Sequence, residues 1–287
     1  MKRVLILVFL SLFICTKSPA KGQSEYDLYT QYCPAAPFNI ADESTRNFQK
    51  KIGLNGLAAM VASHKIKSEI KKNAKGKFKV NVTSYSMTDA KQGKFKRFEV
   101  SGKKIVSSGV HISKLDARTT CQFIHLDMDK NPVGLAEPMA IDFNAEITEE
   151  DLNKTLQSPA FQEYSLGVKR RMVKISFFEF SNARVSLKNN QLDLLVDVRT
   201  LMGKPFTANV ISDLKAENNQ IALKSLKFGS TNHKIEGRKM QYLVKIFDPV
   251  AYMQKVLSQY NCKTLIKSVK IDDGKIIIKG SVFLAKS

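Results

Sequence analysis

The chain predicts an α+β fold in which long antiparallel strands wrap on few helices. Three observations carry this expectation. Two separate stretches, 77–127 and 171–228, read as meanders of alternating strands; the helical segments are few; and nowhere does strand alternate with helix as a parallel sheet requires. The 287 residues, 43% hydrophobic and 25% charged, suffice for one large domain or two modest ones with a real core, and exclude a disordered or collagen-like chain.

The first residues read as an export signal. Met1-Lys2-Arg3 is basic, Val4 to Cys15 is uncharged and almost wholly apolar, and Ser18-Pro19-Ala20 offers the small residues that a signal peptidase inspects. Twelve apolar residues reach roughly 18 Å as a helix, short of a ~30 Å hydrocarbon core, so a cleaved signal over 1–20 is expected rather than a membrane anchor. Cys15 follows Ile14, a poor lipidation context. The mature chain should begin near Lys21 and lie outside the cytoplasm. Residues 21–43, with Cys33-Pro34-Ala35-Ala36-Pro37, read as an irregular lead-in, and 44–287 as the folded domain.

Arg46 to about Lys72 reads as one long helix. From Ile52 to Ala62 it is apolar almost all round, which predicts enclosure by a sheet, since eleven residues cannot cross a membrane. Beyond Ser63 it turns basic, leaving Ile66 and Ile70 as a narrower stripe. Strands follow at Lys77 to Met87, Phe95 to Val106 and Gly109 to Asp127, with a turn expected near Asp89 to Gly93. Thr148 opens a helix to about Gln157, because Thr148 can cap it and Asp151 stands where a capping box has its acid. Ser158-Pro159 starts another, through Leu166.

The second meander has strands at Arg171 to Phe180, Arg184 to Lys188, Gln191 to Thr200, Pro205 to Lys215 and Gln220 to Phe228, with Asn189-Asn190 and Asn218-Asn219 as turns. A helical stretch from Lys239 to about Tyr260 should break at Asp248-Pro249, where Asp caps and Pro takes the first helical position. A hairpin closes the chain: Lys267 to Asp272, Asp273-Gly274, then Lys275 to Leu284.

Forty-six Lys and Arg against 26 Asp and Glu give a net charge of +20, or +17 once Lys2, Arg3 and Lys17 leave with the signal. The charge is uneven: 46–104 holds 16 basic and 3 acidic residues, 127–163 holds 2 and 9, and 164–287 holds 22 and 9. Anionic partners are implied. Nucleic acid is not the expected one, because an aromatic RNA-binding motif and a helix-turn-helix are both missing and an exported protein rarely meets nucleic acid. Lys65, Lys67, Lys71 and Lys72 are the candidate contacts for an anionic membrane surface, where each lysine contributes on the order of 1 kcal/mol. Cys33, Cys121 and Cys262 remain after cleavage. An odd number leaves open one disulfide with a free thiol, or three free thiols, and the spacing fits no zinc pattern.

A search for chemistry returns little. There is no G-x-S-x-G and no G-x-x-x-x-G-K. Ser-x-x-Lys at Ser68/Lys71, Ser101/Lys104 and Ser212/Lys215 is expected by chance in so lysine-rich a chain. His64, His111, His125 and His233 form no metal motif. Asp127-Met128-Asp129 begins like a calcium loop, but Pro132 and Pro138 stand where Gly and Glu are needed. No enzyme, metal or cofactor is expected. Asn81 and Asn153 sit in glycosylation sequons, which matter only in a eukaryotic secretory host.

Ile147-Thr148-Glu149-Glu150-Asp151-Leu152-Asn153-Lys154-Thr155-Leu156-Gln157-Ser158-Pro159 resembles a segment of the LmeA-like phospholipid-binding proteins of bacteria. Gly93-Lys94-Phe95, Ser108-Gly109-Val110-His111-Ile112, Gly203-Lys204-Pro205-Phe206 and Ile271-Asp272-Asp273-Gly274-Lys275-Ile276 fit the same pattern. The resemblance covers about Ser44 to Leu284. It implies a TULIP-like fold, a long helix wrapped by a strongly curved antiparallel sheet around an apolar groove for acyl chains. It also implies a protein of the periplasm or cell envelope, peripheral to the membrane, with phospholipid as its partner. It assigns no catalytic or lipid-contacting residue. Candidate groove liners, read from the apolar faces, are Leu57, Met60 and Val61 of the first long helix, Leu152 and Leu156 of the middle helix, and Leu243, Ile246, Phe247, Val250 and Met253 of the last. The competing expectation is a non-enzymatic envelope scaffold, or a protein binding an anionic polymer, with a filled core.

Overall fold

The computed structural model describes residues 15–17, 24–33, 35, 38–128, 130, 134–171, 178–200, 204–217, 220–230, 237–257 and 260–286. Two antiparallel meanders are present, as the sequence predicts, and helices pack on them. The first sheet contains β1 (Cys15–Lys17), β2 (Lys75–Ser84), β3 (Lys94–Ser107), β4 (Val110–Thr119), β5 (Ile124–Asp127), β6 (Gly134–Leu135), β7 (Met139–Thr148), β12 (Tyr260–Asp272) and β13 (Lys275–Leu284). Its order is β1-β12-β13-β7-β4-β3-β5-β6, with β2 also pairing β3. The second sheet is the meander β8 (Phe178–Lys188), β9 (Gln191–Thr200), β10 (Phe206–Glu217) and β11 (Gln220–Ser230).

Several expectations need correction. β7 was not foreseen as a strand, yet it lies inside the large sheet between β4 and β13. Its polar residues Asp142, Asn144 and Glu146 alternate with buried Ile141, Phe143 and Ala145, because one face of the sheet is polar. The segment expected as a turn near Asp89 is a short helix, α4 (Met87–Lys91), capped by Ser86 Oγ, which accepts from Asp89 N. The two short strands expected around 171–188 are one strand, β8, over its described part. A register shift between Ser181 and Arg184 bends it, and Asn182 there has φ 50°. Residues 172–177, part of the expected strand, lie outside the described residues, as do Asn218-Asn219 and Gly203.

The N-terminal lead-in is not irregular throughout. Ser24 and Asp27 form a capping box that starts helix α1 (Glu25–Tyr32). Leu28 is fully buried, and Tyr29 and Tyr32 pack on Phe283 with ring centroids 5.2 and 5.5 Å away. A Cys33–Cys121 disulfide ties the end of α1 to the sheet. Cys262 is also disulfide-bonded, so no free thiol exists among the described cysteines.

The expected long helix is two helices. Gly53, with φ 78°, separates α2 (Glu43–Lys51) from α3 (Leu54–Asn73). α3 packs on β2 and does not have its apolar segment enclosed. Ala58 and Ala62 pack against the core, and Ile66 and Ile70 are each only 3% exposed. Leu57, Met60 and Val61 point the other way, to solvent, at 55, 67 and 69% exposure. A segment that is apolar all round thus divides into an inner face of small residues and an outer face of large ones.

The remaining helices follow the sequence. Thr148 and Asp151 form the capping box of α5 (Glu149–Gln157), and Ser158 caps α6 (Pro159–Arg170). α7 (Gly237–Phe247) and α8 (Pro249–Leu257) break at Asp248, whose Oδ1 accepts from Val250 N at 2.9 Å and Ala251 N at 3.0 Å. The hairpins turn where expected: Asn189 and Asn190, and Asp273 and Gly274, all have positive φ, as a tight two-residue hairpin turn requires.

Candidate functional site

The segment Ile147 to Pro159 joins the two sheets. Asn153 Nδ2 donates to Val185 O and its Oδ1 accepts from Val185 N, each at 2.8 Å. Glu149 Oε2 accepts from Leu187 N at 2.9 Å. α5 thereby supplies the outer edge of β8 with the partners that another strand would give. On the opposite side, Thr155 Oγ1 accepts from His111 N at 3.0 Å, and the Asp151 carboxylate accepts from Ser113 Oγ. Ser108 and Gly109 turn the β3–β4 hairpin with φ 48° and 79°. A Cβ on Gly109 would lie 2.6 Å from Ser158 Oγ, so glycine is needed for space as well as for conformation. Gly93, at φ 77°, is tighter still: its Cβ would fall 2.0 Å from Leu126 O. The contacts of these motif residues are therefore structural.

Around this junction lies the apolar interior. Leu152 and Leu156 are 0 and 1% exposed; Leu243, Ile246, Phe247, Val250 and Met253 are 1–6% exposed. α7 contacts β10 and α6, and α8 contacts β11, α5 and α6. Phe161 meets Tyr252 edge-on with centroids 5.2 Å apart, and Tyr252 Oη donates to Ser108 O at 2.6 Å. These seven expected liners are buried together, with no open apolar groove at their positions among the described residues. At the break between α7 and α8, desolvation, opposed by the two backbone N–H donors, pushes the Asp248 carboxyl up to about 6.

Leu57, Met60 and Val61 are not part of that interior. They lie on the outer face of α3, and the same face continues into Lys65, Lys71 and Lys72, which are exposed; Lys67 is half-buried. Phe48 on α2 and Ile52 at its C-terminal cap are also exposed, at 62 and 52%. The expected site set thus separates into a closed interior and an open surface.

The large sheet also carries a polar trough of about 450 Å³ that sequence reasoning missed. Strand register aligns it. Glu99 stands opposite Arg118, Arg118 opposite Asp142, Asp116 opposite Asn144, and Asn144 opposite Lys279. Its four cations, Lys79, Arg118, Lys267 and Lys279, stand among three acids, Glu99, Asp116 and Asp142, so its charges are mixed and nearly balanced. α1 closes one end: Tyr29 Oη donates to Asp142 Oδ1 at 2.6 Å, and Lys267 Nζ meets Glu25 at 2.8 Å. Burial works against the Lys267 charge, but hydrogen bonds to Glu25 and Tyr29 and the Asp142 carboxylate hold it above the ordinary lysine range. The alternation of Lys77, Lys79, Asn81 and Thr83 with Phe78, Val80 and Val82 was the visible signal of this face.

Compared with known proteins, residues 53–281 match the model of a family described as LmeA-like phospholipid-binding. No curated protein and no solved structure matches.

Proposed function

The chain belongs to the LmeA-like phospholipid-binding family, and from this premise we propose that it is exported to the cell envelope and holds a phospholipid without acting on it chemically. The observation that carries the reading is the family match over most of the chain. Acyl methylenes gain about 0.8 kcal/mol each on leaving water for apolar surroundings, but the interior formed by Leu152, Leu156, Leu243, Ile246, Phe247, Val250 and Met253 is filled by its own side chains, the packing that the scaffold expectation carries, so the reading rests on the family match. Lys65, Lys67, Lys71 and Lys72 draw the protein to anionic membranes, the source and destination of such a ligand. On this reading a TULIP-like curved sheet shelters the ligand.

Export implies loss of residues 1–20 and with them β1, which pairs in parallel with β12 through Cys15↔Tyr260 and Lys17↔Lys263. Intact mass of the protein from the envelope fraction should correspond to a chain beginning near Lys21; retained Met1 would count against cleavage. For the ligand, native mass spectrometry of the protein purified without detergent should show a phospholipid adduct. A protein that is lipid-free as isolated, and takes up none from vesicles, would refute the reading.

A further inference from the structure

Eight large hydrophobic side chains are exposed among the described residues, and five of them, Phe48, Ile52, Leu57, Met60 and Val61, fall within fourteen residues on α2 and the start of α3. Apolar residues scattered singly over a surface need no explanation, but several large ones on one helix face do. The cluster has a direction. Leu57, Met60, Val61, Lys65, Ser68, Lys71 and Lys72 recur at three- and four-residue steps, so a single helix face is apolar in its first half and cationic in its second. Lys72 is paired with Glu69, whereas Lys65 and Lys71 take part in none of the ion pairs found among the described residues.

We propose that this face is a bilayer-docking element: Leu57, Met60 and Val61 enter the acyl boundary of an anionic membrane, and Lys65, Lys71 and Lys72 lie at headgroup level. The choice of a bilayer rests on the phospholipid-binding reading above and on charge. A second copy of the chain joined through this face would be related by a two-fold axis. It would either set the two lysine rows side by side or lay each row over the other's apolar half. An anionic bilayer meets both halves at once: apolar side chains sink 5–10 Å in typical interfacial helices, about the depth these residues can reach, while lysines stay at the phosphates. α3 lies on the membrane and does not cross it, because no described helix is long and apolar enough to do so. This assigns Leu57, Met60 and Val61 to the membrane and not to the ligand interior.

The chain contains no tryptophan, so a single introduced one reports its own surroundings. Met60→Trp protein mixed with phosphatidylglycerol–phosphatidylcholine vesicles should show a blue-shifted emission that brominated acyl chains quench. Leu166→Trp, at an exposed site on α6, should show neither. The combined variant Leu57→Ser, Met60→Ser, Val61→Ser should lose about tenfold or more in vesicle affinity, while its melting temperature and its phospholipid adduct are retained. An unshifted Met60→Trp signal on bound vesicles would overturn the proposal. So would a blue shift that appears without vesicles and grows with protein concentration, the mark of a second copy. A triple variant that keeps vesicle affinity but loses the adduct would also overturn it and return these residues to the ligand site. Vesicle binding with the expected shift, in a protein that carries no phospholipid, would support the docking face and count against the ligand reading alone.

Discussion

Asn153 pairs with Val185 as a neighbouring strand would, donating from Nδ2 to its carbonyl and accepting at Oδ1 from its N–H, both at 2.8 Å. A side-chain amide has the donor and acceptor of a peptide bond, and here it closes the edge of β8 from a helix. Val185 is 2% exposed, so water cannot replace the pair. Asn153→Ala should cost about 1–3 kcal/mol, because a buried donor and acceptor are left unmatched. Asn153→Asp keeps the acceptor only and should recover part of the loss at most. Urea unfolding of the three proteins checks both statements. The same bonds occupy the Asn153 side chain, which makes it a poor glycosylation acceptor despite its sequon.

The Cys33–Cys121 bridge closes a loop with a sequence separation of 88 residues. Cross-linking over such a distance limits the unfolded chain by about 4–5 kcal/mol in the loop-entropy picture. Cys33→Ser should therefore lower stability by up to that amount. It should also raise hydrogen exchange selectively in residues 25–32, whose packing is confined to Leu28, Tyr29 and Tyr32. Uniform exchange across the molecule would show that α1 is held by its own contacts and not by the bridge.

Asp248 makes stability depend on pH in the direction opposite to an ordinary paired carboxylate. Its folded-state value of about 6 lies above that of an unfolded aspartate, so between pH 4 and 6 the folded chain binds the extra proton. Stability at this site is full below pH 4 and falls as pH rises through 6, by about 3 kcal/mol. Asp248→Asn keeps a capping oxygen without the charge. Melts of the two proteins from pH 4 to 7 should diverge, with the variant gaining relative stability as pH rises; parallel curves would exclude the effect.

Membrane attraction through Lys65, Lys71 and Lys72 should be salt-dependent, since exposed charges are screened over about 8 Å at physiological ionic strength. Binding to anionic vesicles should exceed binding to neutral vesicles at low salt, and the difference should shrink as salt is raised. Equal affinity for both vesicle types at low salt would remove the electrostatic contribution.

The sequence was most legible where one local rule decides the outcome. The Thr148–Asp151 capping box, the Asp248-Pro249 break and the Asp273-Gly274 turn each depend on side chains within a few residues, and each is present. α1 was not legible, because eight residues with a single fully buried leucine carry little periodicity, and the disulfide that fixes them depends on a cysteine far along the chain. β7 was missed because its acids disguised an alternating pattern. At the candidate site, hydropathy marked Leu57 and Leu156 alike. Only packing separates a leucine at 55% exposure from one at 1%, since direction around a helix is set by what the helix rests on.

The trough has a consequence for how the large sheet assembles. The pairing of β4 with β7 sets Asp116 against neutral Asn144, with Asp142 and Glu146 on either side along β7. A slip of two residues would keep every apolar side chain facing inward, so hydrophobic burial alone does not forbid it. Slipping one way, however, would put Asp116 opposite Asp142; slipping the other way would put it opposite Glu146. Either misalignment brings two carboxylates together across the ladder, where like charges repel. Asp116 thus proofreads strand alignment from the side of the sheet that takes no part in the core.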